Sequence, residues 1–198
     1  RDAAAAMARA HPEWLARPTA LHAAARADDV DAVALLLDLG ASLEAEGERG
    51  GRALHVAALH GAAGAAALLL ARGAGADPVE RAWRATPLGI AVWHGHTRTI
   101  AALAPASRDV WGLSITGHVE RLRTVLAEEP ARARVALASG WTPLMWLPDD
   151  EARALEVVEL LLAHGADAGA RNERGETAAE VAERRGMEVV AARLRAVE

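Results

Sequence analysis

Histidine is the residue type in this sequence with the clearest capacity for chemistry, because imidazole binds transition metals. His60 and His94 occur at matching places, each followed by a glycine, and could lie side by side on a surface. His96 and His118 each follow a glycine at a second recurring position. Metal sites normally need three or four ligands with supporting hydrogen bonds, so these pairs predict no metal site.

Carboxylates, serines and glycines also fall short of a catalytic arrangement. Asp149, Asp150 and Glu151 are consecutive at a predicted helix start, where side chains diverge and helix capping explains them. No serine lies in a G-x-S-x-G context, and the chain has no lysine to complete a phosphate-binding loop near Gly73 and Gly75. We therefore predict a non-enzymatic protein with no catalytic residues, no metal and no cofactor.

The elements that carry these residues recur along the chain. The passage from Thr86 to His96 has relatives that start near residues 19, 52, 142 and 177, and a degenerate copy starts near 108. Four of the units, those near 19, 52, 86 and 142, have leucine two residues after a threonine-like position, and the first two of them have alanine at five and six. Leucine triplets and a Gly-Ala turn follow in three units, at Leu35–Leu37, Leu68–Leu70 and Leu160–Leu162.

A period near 33 residues, with Thr86-Pro87-Leu88 as the clearest unit start, resembles the ankyrin repeat. The resemblance covers roughly residues 18 to 196. It implies an all-α solenoid of helix-turn-helix units with projecting loops or hairpins, and a role in holding other macromolecules. We predict an N-terminal helical cap over residues 1–17 and a repeat array over residues 18–198, with units starting near 19, 52, 86, 108, 142 and 177.

The family pattern also assigns structural roles to residues that look reactive. His22 and His55 occupy the position at which an ankyrin repeat carries a bracing histidine, so we expect them to hydrogen-bond between neighbouring units. Asp28 and Asp29 stand where other units have glycine. We expect both aspartates to cap the N-terminus of the helix that follows them.

Two units depart from the pattern. The second helix of the third unit ends at Ala104-Pro105 and the next unit begins by Arg108, so about a dozen residues of projecting loop are absent. We expect a notch there, between the loop of Trp83 and the loop that ends in Trp141, where a partner segment seats. In the fifth unit, Pro148 is expected to end the first helix.

The predicted partner-binding residues lie at the positions that resemble the partner-contacting surface of ankyrin repeats. They are Arg49, His60, Trp83, Trp93, His94, Trp141 and Arg184. Tryptophan and arginine often contribute most of the binding free energy at protein interfaces. A structural alternative is that Trp83 and Trp141 lie flat over neighbouring loops. Trp111 and Trp146 are expected in the core.

Composition excludes several classes of partner. A net charge of −5 gives no electrostatic signature of nucleic-acid binding. The sequence has no cysteine, which removes disulfides and thiolate chemistry. The longest apolar run, residues 61–71, is too short for a bilayer span of about 20 residues, which predicts no membrane association. We expect a cytoplasmic monomer, and the alanine- and arginine-rich composition without lysine suggests a bacterial source.

These observations favour a module that binds a protein or peptide across its concave face of loops and first helices. One alternative is an accessory or regulatory part of an enzyme. A second alternative is a small-molecule-binding or catalytic protein that uses the notch after Ala104.

Overall fold

A computed structural model describes residues 15, 17–47 and 49–198, and every regular element in that part of the chain is a helix. The predicted N-terminal cap falls almost wholly outside the described residues. The chain divides into two compact units, residues 1–109 and residues 110–198.

The described part of the first unit contains three helix pairs joined by tight turns. The first helices of the pairs pack on one another in chain order, and so do the second helices. The pairs are α1 (Thr19–Arg26) with α2 (Val30–Asp38), α3 (Ala53–His60) with α4 (Ala63–Ala71), and α5 (Pro87–Trp93) with α6 (Thr97–Leu103).

Small side chains let the helices of the first unit approach closely. Ala57 and Ala58 of α3 and Ala65 of α4 are fully buried, and leucines such as Leu54 and Leu69 fill the space between helices. Close packing of small and branched side chains gives an interior of native density without aromatic residues. The core of the first unit is thus built from alanines with leucines between them.

The second unit repeats the arrangement with one irregular member. The structure has α7 (Val110–Ile115) with α8 (Val119–Glu128), a 3₁₀ helix (Pro130–Arg134), a second 3₁₀ helix (Pro143–Met145) with α9 (Glu151–Ala163), and α10 (Ala178–Arg184) with α11 (Glu188–Arg195). The first helix expected in the fifth repeat is thus a single 3₁₀ turn.

Proline chemistry explains this shortened element. Pro143 occupies the first turn, where its missing N–H is tolerated. Pro148 restricts Leu147 to an extended backbone and cannot itself continue a helix. The chain therefore leaves helical geometry at Trp146, which is half-buried beyond the helix rather than inside it.

Asp28 and Asp29 bind amides of different helices. The expectation that both cap the helix after them is therefore wrong for Asp28. Asp29 is the N-cap of α2, and its carboxylate accepts a hydrogen bond from the Ala32 amide at 2.9 Å. Asp28 has a left-handed backbone, with φ of 53°. Its carboxylate instead accepts a hydrogen bond from the Ala65 amide of α4 at 2.6 Å, in the next repeat.

The acidic residues before α9 diverge as predicted. Asp150 is the N-cap of α9 and accepts a hydrogen bond from the Arg153 amide. Glu151 reaches the next repeat, where one carboxylate oxygen accepts a hydrogen bond from the Val189 amide of α11 at 2.8 Å. These carboxylates are therefore helix caps, as Asp28 and Asp29 are in the first unit.

The bracing histidines are confirmed. His55 is buried, accepts a hydrogen bond from the Arg52 amide at Nδ1, and pairs through Nε2 with the Pro78 carbonyl at 2.9 Å. An amide donor facing Nδ1 leaves the proton on Nε2. His22 makes the equivalent, longer contact to the Ala45 carbonyl at 3.3 Å.

The connection after Ala104 is short, as predicted: α6 ends at Leu103 and α7 begins at Val110. Within the first unit this connection is tied back to earlier residues. The Asp77 carboxylate accepts hydrogen bonds from the Ser107 hydroxyl and the Arg108 amide, and Asp109 accepts one from the Thr86 hydroxyl.

Candidate interaction surfaces

Two tryptophans of the first unit are exposed although they are large and apolar. The side chain of Trp93 is 79% exposed and that of Trp83 is 60% exposed. Trp83 precedes α5 and Trp93 is its last residue, so the two indoles bracket one short helix. The expectation that Trp83 lies flat over a neighbouring loop is not supported by this exposure.

A buried carboxylate holds the turn that carries Trp83. Glu80 is 4% exposed, and its side chain accepts hydrogen bonds from the amides of Ala82, Trp83 and Ala85 at 2.5, 2.6 and 3.1 Å. Burial by itself raises the pKa of Glu80, but the three backbone hydrogen bonds outweigh it and leave the pKa below its usual value. Trp83 is therefore presented by a preorganised turn.

Two further features mark this turn as unusual. Arg84 has a left-handed backbone, with φ of 55°, which costs a non-glycine residue about 1 kcal/mol. The Arg81 amide donates a hydrogen bond to the Arg49 carbonyl at 3.2 Å, which joins the turn to the preceding loop. The Arg81 side chain pairs with Glu46, whereas the Arg49 side chain extends into solvent.

Three histidines of the first unit, His60, His94 and His96, lie at the turns between paired helices. The rings of His94 and His96 stack with centroids 5.8 Å apart, and His96 Nε2 lies 3.1 Å from the Leu59 carbonyl. Desolvation lowers the pKa of the His60 imidazole, and the nearby positive charges of Arg26, His96 and His94 lower it further. His60 and His94 thus lie close enough for charge on the His94 ring to affect the pKa of His60.

No metal site results from this gathering of histidines. No group of three or more histidine, aspartate, glutamate or cysteine side chains in the described residues could hold a metal ion. His96 is engaged by a backbone carbonyl. Five residues of this unit that were predicted to bind a partner are exposed, and we refer to them together as the Trp83/Trp93 surface: Arg49, His60, Trp83, Trp93 and His94.

The second unit has a different aromatic cluster. Trp146 makes edge-to-face contacts with both Trp111 and Trp141, each with ring centroids 6.2 Å apart. The Trp141 indole N–H also donates to the Glu173 carboxylate at 3.4 Å. Trp141 is therefore half-buried, and it is held by its edge-to-face contact with Trp146 and its hydrogen bond to Glu173.

A cleft of about 290 Å³ opens beside this cluster, and we call it the Trp141 cleft. Arg184 and Arg185 line it, held by Glu176 and by Asp149 respectively. The guanidinium of Arg185 also donates to the Leu147 carbonyl at 2.9 Å. The lining is Ile115, Trp141, Met145, Trp146, Leu147, Asp149, Val181, Arg184 and Arg185.

The structure therefore groups the predicted partner-binding residues by unit. Arg49, His60, Trp83, Trp93 and His94 share the first unit, and Trp141 and Arg184 share the cleft of the second. Sequence reasoning missed Glu80 and the partnership of Trp146 with Trp141. Neither contact can be identified from a sequence motif. The role of Glu80 depends on the turn whose amides it binds, and the two indoles come into contact only in the folded protein.

None of the helices described is long and apolar enough to cross a membrane.

Comparison with known proteins agrees with the repeat geometry. A family model for ankyrin repeats in three copies matches residues 7–82, and the single ankyrin repeat model matches residues 139–173. The ankyrin repeat protein YahD of Escherichia coli K12 is 27% identical, over 85% of this chain and 90% of its own length.

A solved structure is also similar. The chain superposes on the crystal structure of an ankyrin repeat domain from Acinetobacter baumannii AYE with a TM-score of 0.62 and 25% identity, covering 89% of this chain and 96% of that one. Both relatives are bacterial, in agreement with the predicted source. Ankyrin repeats generally serve as protein–protein interaction modules. The matched residues, the all-helical fold and these two relatives together establish that the chain belongs to the ankyrin-repeat family.

Proposed function

We propose that this chain is a non-enzymatic protein-binding module that uses the Trp83/Trp93 surface of its first unit and the Trp141 cleft of its second. The observation that carries the proposal is the exposure of Trp83 and Trp93 at the two ends of α5. Exposed indoles leave apolar area in water, and their burial against a partner is worth about 2 kcal/mol or more at an interface hot spot.

The turn around Trp83 strengthens this interpretation. A buried carboxylate with three backbone partners and a left-handed arginine are costly features for an exposed loop. They fix the position of the indole before binding. A preorganised contact loses little conformational entropy when the partner docks, which increases affinity without additional contacts.

The Trp141 cleft is suited to a single apolar side chain of the partner. Its lining combines apolar side chains such as Met145, Trp146 and Val181 with two arginines and an aspartate. Apolar contacts accompanied by polar groups are the usual composition of an interface anchor site. Arg184 retains free donors for the partner's backbone carbonyls, because its hydrogen bonds to Glu176 use two of its three guanidinium nitrogen atoms.

Affinity measurements on single variants test the proposal. The partner is first isolated by affinity capture from the source cells with the full chain as bait. Its affinity is then measured for Trp83→Ala, Trp93→Ala and Trp141→Ala, alongside the melting temperature of each variant. We expect at least one of the three to weaken binding by tenfold or more, with Trp83→Ala and Trp93→Ala leaving the melting temperature nearly unchanged.

Matched control variants distinguish binding at the proposed contacts from nonspecific hydrophobic binding. Val189→Ala removes an exposed apolar side chain, 56% exposed, that lies outside the proposed contacts. Trp141→Phe keeps the edge-on contact with Trp146 and should retain part of the affinity. Unchanged affinity in all three alanine variants, or an equal loss in Val189→Ala, would contradict the proposal.

A further inference from the structure

The carboxylates of the first unit are already engaged within the fold. Four of them accept hydrogen bonds from backbone amides, and three pair with arginines. Among the described residues of this unit, the carboxylates bound by amides are Asp28, Asp29, Asp77 and Glu80. Those paired with arginines are Asp38, Glu44 and Glu46. Asp109 accepts a hydrogen bond from the Thr86 hydroxyl, and Asp31 also has a partner.

The arginines of the same unit, in contrast, are not all engaged by a partner group. Some pair with acids, as Arg72 does with Asp38, but several exposed guanidinium groups have no carboxylate partner in the part of the chain that the structure describes. These are Arg17, Arg26, Arg49, Arg84 and Arg98. These five exposed guanidinium groups therefore carry positive charge that no ion pair within the described residues offsets, although the whole chain carries a net charge of −5.

Three of these arginines border the Trp83/Trp93 surface. Arg84 follows Trp83 directly, and Arg49 lies in the loop whose carbonyl binds the Trp83 turn. Arg26 ends α1, near enough to His60 for its charge to lower the pKa of that imidazole. The surface thus combines exposed indoles with guanidinium and imidazole groups, and none of its members carries a carboxylate.

The two indoles also limit the size of a segment that touches both. Helix α5 has seven residues between Pro87 and Trp93, a rise of about 10 Å. Three or four residues of extended chain span the helix, and the four-residue step from Trp83 to Pro87 adds at most about four more. A segment of about eight residues can therefore contact Trp83 and Trp93 together.

We infer that the Trp83/Trp93 surface binds a short acidic segment of a partner protein. Carboxylates of the segment pair with Arg26, Arg49 and Arg84, and an apolar side chain packs on an indole. This inference rests on the proposed function and names the class of partner. A nucleic acid is disfavoured, because a long polyanion would also meet the net negative charge of the whole chain, whereas a short segment meets only the local surface.

Selection from a random peptide library displayed on phage tests the inference with the full chain as bait. We expect enrichment of peptides in which aspartate or glutamate flanks an apolar residue. A synthetic peptide of the enriched sequence is then measured by fluorescence anisotropy against the wild type and the variant Arg26→Gln/Arg49→Gln/Arg84→Gln. We expect the triple variant to bind about tenfold more weakly, and the affinity of the wild type to fall as salt is added.

The controls use charges and polyanions outside the proposed contact. Arg98→Gln removes another exposed arginine without a carboxylate partner, on α6, and should bind like the wild type. Single-stranded RNA and vesicles with anionic headgroups are titrated in parallel. Circular dichroism confirms that each variant is folded.

Each outcome decides the inference. Enrichment of neutral or basic peptides that lose affinity in Trp83→Ala overturns the acidic segment and leaves the proposed function standing. Equal losses in Arg98→Gln and in the triple variant, tighter binding of RNA or vesicles, or no enrichment at all also overturn it. The proposed function fails separately, when the alanine variants of the tryptophans leave binding of the captured partner unchanged.

Discussion

The carboxylate of Asp28 accepts a hydrogen bond from the backbone amide of Ala65, 37 residues later, at 2.6 Å. Helix α4 cannot cap itself, because its N-cap residue is Ala62 and no side chain there accepts a bond. An uncapped helix leaves amides at its first turn without a partner. The preceding repeat supplies the missing acceptor, so the cap is also a contact between repeats.

Substitution of Asp28 should reveal this contact. The residue has a φ of 53°, in the place where Gly61 has 71° and Gly95 has 68°. Asp28→Ala removes the cap and places a side chain with no hydrogen bond in left-handed geometry, so we expect a loss of about 2 kcal/mol in the free energy of unfolding. Asp28→Asn keeps an acceptor and tolerates that geometry, and should lose less. Urea denaturation measures both, and equal losses would rule out the cap.

The repeat fold was predictable because its signals are local. The threonine-leucine starts, leucine triplets and Gly-Ala turns recur in the sequence, and each repeat packs mainly on its neighbours. The shortened connection after Ala104 and the brace of His55 follow from the same register. The place of each such residue within the repeat pattern determines its role, and that place can be identified from the sequence.

The contacts that the sequence did not predict depend on local departures of the backbone from the repeat pattern. Asp28 looks like a second cap for α2, and only its left-handed backbone turns it toward Ala65. Trp146 and Trp141 form a cleft because Pro143 and Pro148 reduce a helix to one 3₁₀ turn. Each outcome depends on a backbone geometry that residue spacing alone does not specify.

Glu80 should stabilise the fold only while it is ionised. Its carboxylate accepts three amides through two oxygens, and Glu80→Gln leaves a single acceptor oxygen, so we expect a loss of about 2 kcal/mol near pH 7. Because folding lowers the pKa of Glu80, its contribution is present above the ordinary value of 4.5 and lost as the pH falls through the lower folded value.

The stability difference between wild type and Glu80→Gln should therefore narrow on acidification. Urea midpoints at about pH 7 and about pH 3 measure it, and the comparison of the two proteins cancels the titration of the other carboxylates. A difference that stays constant over this range would contradict a role for the charge. Intact partner binding by Glu80→Gln would instead show that the turn needs no preorganisation.

His55 should make stability depend on pH near neutrality. Burial lowers the pKa of His55, and the hydrogen bond that its Nδ1 accepts from the Arg52 amide requires the neutral ring. A depressed folded pKa gives stability that is present above the ordinary value of 6.5 and lost as the pH falls through the folded value. We expect the wild type to unfold at a lower urea concentration at about pH 5.5 than at about pH 7.5.

Glutamine variants identify the histidine responsible. His55→Gln should be less stable than the wild type near neutrality but should change less with pH, because the titrating group is gone. His22→Gln should reduce the pH dependence to a smaller extent, since His22 is less buried and its contact with the Ala45 carbonyl is longer, at 3.3 Å. An unchanged pH profile in His55→Gln would exclude its neutral ring as the source.

The two loop-tip glycines of the second unit offer a matched pair. Gly140 and Gly175 have nearly the same φ, 77° and 76°, so an alanine at either position meets the same left-handed penalty of about 1 kcal/mol. Their surroundings differ. A Cβ on Gly140 would lie 2.3 Å from the Arg171 carbonyl oxygen, whereas a Cβ on Gly175 has no atom within 4 Å.

Gly140→Ala should therefore cost much more than Gly175→Ala. The Arg171 carbonyl is backbone and cannot move aside alone, and the Glu173 amide next to it is bound to the Ser139 carbonyl at 2.7 Å. We expect about 1 kcal/mol for Gly175→Ala and about 3 kcal/mol for Gly140→Ala in the free energy of unfolding. Because Trp141 follows Gly140, displacement of this loop should also change the tryptophan fluorescence of the folded protein in Gly140→Ala alone. Equal stability and equal fluorescence in the two variants would mean that the loops at residues 140 and 171 are not in close contact.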